Sequence, residues 1–273
     1  MGEYFLEPMR WFVLFFFSVF NCNQCLSWFS FSSTDLKTMA AYFGPKMDQS
    51  AVNLLLNWGP IAGVLMFPVQ TYIVGKKNGL RKGIWLGMLL GLAGNVLRCV
   101  PIAAREWFGD SSRFEQSETA FVLYHTGQFL NAAAGPLCMG VVTRLSAVWF
   151  SEQERTVSTA VAQTSNALGT TIGFLNPLWL AKTPAAVPNI FYLSLVLSAL
   201  PVACAVLYFP PAPPHPPSAA AAADIACEQE AADQQGQAQA QAQGQAQHTD
   251  HPSSLPAFGR VNPDKVSSSS SSS

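Results

Sequence analysis

The sequence predicts an all-α membrane protein, a bundle of six membrane-crossing helices followed by a low-complexity tail. Three observations carry that expectation. Hydrophobic residues make up 49% of the chain and charged residues only 11%, whereas a soluble globular domain carries about 25% charge. Six apolar stretches reach the ~20 residues that a helix needs to cross a ~30 Å hydrocarbon core. From residue 210 onward the composition turns polar. The lipid bilayer is therefore the first partner, and a formal net charge of −1 gives no case for nucleic acid as another.

The first stretch runs from Trp11 to Ser32. Residues 1–10 ahead of it hold two acids against one Arg, and no small-residue cleavage site follows, so a retained helix is expected rather than a signal peptide. The second runs from Ala51 to Val74, where Pro60 lacks the amide donor its helix needs and predicts a bend. The third spans Gly83 to Ala103, the fourth Phe121 to Val142, the fifth Thr156 to Leu180 and the sixth Pro188 to Phe209. Internal Gly-Pro pairs such as Gly135-Pro136 would argue against helices in water but are tolerated in membrane bundles.

Orientation follows from the basic residues. The loop between the second and third stretches holds Lys76, Lys77, Arg81 and Lys82 without an acid, which places it in the cytosol. Parity then puts both termini and the Trp149–Arg155 loop on the same side. The domain plan is a cytosolic N-terminus at 1–10, a six-helix transmembrane domain at 11–209 and a tail at 210–273. That tail is Pro-rich, then Ala-rich, then an alternating Gln-Ala tract and a run of Ser; it is expected to be disordered.

Chemistry is sparse. No Asp or Glu lies inside any of the six stretches, and no nucleophile–base pair, phosphate loop or metal-ligand spacing occurs, so neither an enzyme nor a cofactor is expected. Cys22 and Cys25 form a CxxC inside the first stretch, where small packing residues are the expected role. His125 is the one group near the fourth stretch that titrates close to pH 6 and the sole candidate for proton coupling. Arg98, near one end of the third stretch, is expected to snorkel to the headgroups.

Specific segments carry a resemblance. WFVLFFFSVFNCNQCLSWFSFSS, LLLNWGPIAG, NGLRKG, LRCVPI and the run from GQFLNAAAGPLCMG through WFSEQERTVSTA to GFLNP resemble solute carrier family 49 of the major facilitator superfamily over about residues 9–180. That family has twelve helices in two six-helix halves. The resemblance implies that this chain corresponds to the N-terminal half of a transporter for a small organic solute, a cationic or heteroaromatic metabolite such as a choline-like or pyridoxine-like compound. It also implies a further partner, either a second six-helix half or another copy of the chain in a homodimer. The alternative is a truncated paralogue that binds or regulates a full-length carrier. Lysosomal and plasma membranes both remain open as locations.

Four residues are candidates for substrate binding. Gln24 and Trp28 share a face of the first helix with Asn21, and Gln128 and Asn131 lie in the fourth. The resemblance places the cage tryptophan of the choline-transporting branch at Trp28, and the Gln of that branch at Gly135, a departure that speaks against choline specificity. Four basic residues are candidates for gating: Lys76, Arg81, Arg144 and Arg155. Lys76 stands where major facilitator proteins usually have an acid. Arg144 and Arg155 flank the WFSEQERT segment, which looks like the cytosolic gate contact of the family.

Overall fold

The computed structural model describes residues 7–109 and 114–219, with scattered positions between 221 and 241. Residues 1–6 and those beyond 241, on which parts of the N-terminal and tail expectations rest, lie outside the described residues. Among the described residues every regular element is helical. The chain divides into two units, 1–232 and 233–273. In the second, Asp233, Gln234, Gln237 and Gln241 are helical.

In the first unit, long helices match the six apolar stretches. They are α1 (Arg10–Phe29), α3 (Gln49–Val74), α4 (Gly79–Phe108), α5 (Glu118–Met139), α7 (Arg155–Leu175) and α9 (Pro188–Leu207). Short helices join them: α2 (Leu36–Phe43), α6 (Val142–Trp149) and α8 (Pro177–Leu180). α1, α3, α4 and the segment ending in α9 are long and apolar enough to cross a bilayer, and α5 with α6, bent by 44°, makes a fifth if the pair is counted as one span. α7 has 21 residues, or about 31 Å at 1.5 Å per residue. It is long enough, but its Ser, Thr, Asn and Gln lower its hydropathy. The chain is a multi-pass membrane protein.

The boundaries differ from expectation where local chemistry intervenes. α2 was not expected; it begins where Asp35 caps it, accepting from the amides of Lys37 at 3.1 Å and Thr38 at 3.3 Å. The fourth span continues past Val142, because the chain breaks only at Gly140-Val141 and resumes as α6. The fifth stops at Leu175, short of Leu180, and Asn176-Pro177 opens α8. α3 runs through both Pro60 and Pro68.

α1 is central, packed against α7, α9 and α5, while α4 lies against α5 and α9 and α3 leans on α5. Small residues allow this closeness. A Cβ on Gly94 of α4 would sit 2.5 Å from the Gly127 carbonyl oxygen of α5, and one on Gly127 would sit 2.6 Å from that of Gly94. The core has two apolar ends. At the end bearing the basic loop, Phe16, Phe17, Ile84, Leu145, Trp149 and Phe209 are buried together. At the other, Phe31, Phe43, Tyr124 and Phe191 interlock, with ring centroids 4.9–6.0 Å apart. The polar residues lie between these two cores.

The segment after α9 does not leave the bundle at once. Pro213, Pro217, Ser218 and Ala221 are buried, and the Arg155 guanidinium donates to Ser218 Oγ at 3.0 Å.

Candidate functional site

The four-residue run Asn21-Cys22-Asn23-Gln24 explains why α1 is the hub. Successive residues point 100° apart around a helix, so each polar side chain meets a different neighbour. Asn21 donates to Ala162 O of α7 at 3.3 Å, Asn23 to Ser194 O of α9 at 3.0 Å, and Gln24 to Asn131 O of α5 at 3.2 Å. One turn on, Ser27 Oγ donates to Asn95 Oδ1 of α4 at 3.3 Å. In lipid, where no water competes, such bonds hold helices together.

Gln24, Trp28, Gln128 and Asn131, the four expected binding residues, come together along the α1–α5 seam. Asn131 Nδ2 returns the bond, donating to Gln24 O at 3.1 Å. Gln128 donates through Nε2 to Trp28 O at 3.0 Å and accepts at Oε1 from Arg98 at 2.8 Å. Gln128 is 0% and Asn131 1% exposed, and each amide nitrogen donates across the seam, while Asn131 Oδ1 is buried without a hydrogen-bond partner. Trp28 differs. It is half-buried, its indole N–H donates to Leu56 O of α3 at 3.1 Å, and its ring lies against Gly59, where a Cβ would overlap it.

Trp28 also starts a row of aromatic rings. Its centroid lies 5.2 Å from that of Phe29, and Phe29 lies 4.6 Å from Phe174 of α7. Phe29 is half-buried and Phe174 is 53% exposed. The row runs from α1 to α7, beside α3, and its rings are partly exposed. Phe29 and Phe174 were missed in the sequence, since among 19 Phe nothing local marks two of them.

Arg98 corrects an expectation. It does not snorkel: it is 0% exposed. Its guanidinium donates to Ser27 O and Gln128 Oε1, each at 2.8 Å, and to Asn95 Oδ1. The acceptors come from α1, α5 and α4, and only the tertiary fold assembles them. His125, the coupling candidate, accepts at Nδ1 from Trp58 Nε1 at 3.1 Å and packs on Phe121 at 4.4 Å.

At the basic end two of the four gating candidates, Arg144 and Arg155, meet helix C-termini, where carbonyls lack intrahelical partners. Arg144 donates to Val74 O, the last residue of α3. Arg155 donates to Ala147 O at 3.2 Å and Phe150 O at 3.4 Å, at the end of α6. Lys76 lies over the Tyr72 ring, 4.7 Å from its centroid. Arg81 is half-buried. An ion pair at this end is one the sequence did not announce: Arg10 forks onto Glu154, Nε to Oε2 at 3.1 Å and Nη2 to Oε1 at 2.9 Å. It ties the start of α1 to the WFSEQERT segment.

The profile of the Major Facilitator Superfamily matches residues 7–261. The chain belongs to that superfamily. Within it, the chain is 33% identical over 230 residues to a solute carrier family 49 member 4 homolog of Xenopus laevis, covering 78% of this chain and 47% of the relative. It is 32% identical over 163 residues to solute carrier family 49 member A3 of Xenopus tropicalis, covering 59% and 31%. It is 26% identical over 227 residues to the human choline/ethanolamine transporter FLVCR2, covering 77% and 38%. This major facilitator chain thus spans about half the length of the first of these relatives.

Proposed function

We propose that this major facilitator chain forms one six-helix half of a carrier for a small organic solute, cationic or heteroaromatic, bound against the Trp28–Phe29–Phe174 row. The observation that carries the reading is that row: three tilted rings in succession, partly exposed, two on α1 and one on α7. A planar ring or a quaternary ammonium gains from such a surface without breaking any hydrogen bond. The likeness to choline/ethanolamine transporters supports a small organic solute. In this reading Trp28 touches the solute, while Gln24, Gln128 and Asn131 hold Trp28 in place.

Carriers of this fold enclose solute between two halves. α3 and α7 flank the row and expose apolar side chains, among them Leu54, Ile61 and Val64 on α3 and Val157, Val161 and Leu168 on α7. A second half, from a longer chain or another copy of this one, would cover them. The loops held by Lys76, Arg81, Arg144 and Arg155 would then form the gate at the cytosolic end. The test is binding and uptake by the purified chain in proteoliposomes against a panel of cationic, neutral aromatic and aliphatic solutes. Saturable binding of an aromatic or cationic member supports the proposal; a panel without any specific binder defeats it.

A further inference from the structure

Arg98 is a full positive charge inside the bundle, since a guanidinium stays protonated in proteins. It is wholly buried, and its acceptors are neutral oxygens: a backbone carbonyl and two side-chain amides. No carboxylate among the described residues pairs with it, and the six apolar stretches contain neither Asp nor Glu. Neutral dipoles make the burial tolerable but do not cancel the charge, whose field extends through a low-dielectric interior.

The aromatic row lies within that field. Arg98 grips Ser27, the chain neighbour of Trp28. Gln128 accepts from Arg98 at one end of its amide and donates to Trp28 O at the other. Two hydrogen bonds and one amide thus separate the guanidinium from the Trp28 backbone. For a solute held about 10 Å from the charge, like-charge repulsion at an effective dielectric near 20 is worth roughly tenfold in affinity. The attraction of the rings for a cation is offset by about that factor, whereas a neutral solute keeps the whole stacking gain.

We propose that Arg98 is a specificity-determining residue that disfavours permanent cations relative to neutral solutes of the same shape at the Trp28 row. The inference rests on the solute-binding reading above and narrows its substrate class. A residue that merely joined helices would weaken cation and neutral alike; a residue acting through its charge changes their ratio.

The experiment measures affinities of the full chain in lipid nanodiscs for two matched pairs: nicotinamide against 1-methylnicotinamide, and 3,3-dimethyl-1-butanol against choline. The wild-type chain should prefer the neutral member. Arg98→Met should shift the ratio toward the cation by about tenfold, and Arg98→Lys should keep the wild-type ratio. If Arg98→Met fails to fold, Gln128→Glu supplies a nearly isosteric carboxylate beside the guanidinium and should shift the ratio the same way. Binding with a ratio unmoved in every folded variant among Arg98→Met and Gln128→Glu overturns this inference alone. Binding of neither member of either pair by the wild-type chain overturns both this inference and the solute-binding reading.

Discussion

Replacing Trp28 by Ala removes the first ring of the row and leaves its neighbours in place. The indole N–H is engaged by Leu56 O, and the six-membered ring lies against Gly59, so what remains for a solute is the exposed part of the ring and no hydrogen bond. A desolvated ring contact of that kind contributes about 2 kcal/mol, or roughly 30-fold in affinity. Trp28→Ala should weaken binding of an aromatic or cationic panel member by that factor. Trp28→Phe should retain part of the affinity, since a smaller π face persists although the bond to Leu56 is lost. Equilibrium binding to nanodisc-embedded protein reads both, with thermal stability monitored alongside because Trp28 also bridges α1 to α3. Equal affinities for wild type and Trp28→Ala, with the same melting behaviour, would refute the assignment of the row as the binding surface.

Three other outcomes follow from the geometry. A double-mutant cycle on Arg10→Ala and Glu154→Ala should give a coupling of about 1–2 kcal/mol in thermal stability, above the ordinary surface pair because the contact is forked and Arg10 is largely buried. Single cysteines placed in the 75–82 loop and in the 104–119 loop of a cysteine-free background should label from opposite sides, the former from the cytosol; the reverse pattern would invert the proposed topology. Burial, reinforced by Glu115 and opposed by Arg105, pushes the Tyr42 hydroxyl up from 10 to about 12. Its folded form resists ionisation that the unfolded chain accepts, so stability is intact below pH 10 and declines as pH rises toward about 12. Tyr42→Phe should flatten that decline in an alkaline unfolding series.

Four of the expected spans were legible because length and apolarity are local properties: α1, α3, α4 and α9 each begin and end within a few residues of the run that predicts them. α2 and α6 were not, because an Asp35 cap and a break at Gly140-Val141 decide them rather than hydropathy. The polar residues of α1 were visible as unusual, but their partners were not. Asn21, Asn23 and Gln24 bond across 141, 171 and 107 residues. Arg98 shows the same limit more sharply. From its place near a helix end, snorkelling is the economical expectation; only when α1 and α5 bring Ser27 and Gln128 to it does burial become tolerable. Arg10 and Glu154, 144 residues apart, had no local sign at all.

Gly94 and Gly127 have a mechanical consequence. With each backbone set against the carbonyl of the other, α4 and α5 are geared together: a slide of even one side chain's width would drive peptide groups into each other. In the proposed carrier, a rearrangement between its two faces would find no room at that seam. α3 is the freer element: it is buried at few positions, Leu55, Ala62 and Gln70 among them, and Arg144 donates to its last residue, Val74. On that reading the α4–α5 pair would be the chassis of this half, and α3 its movable panel.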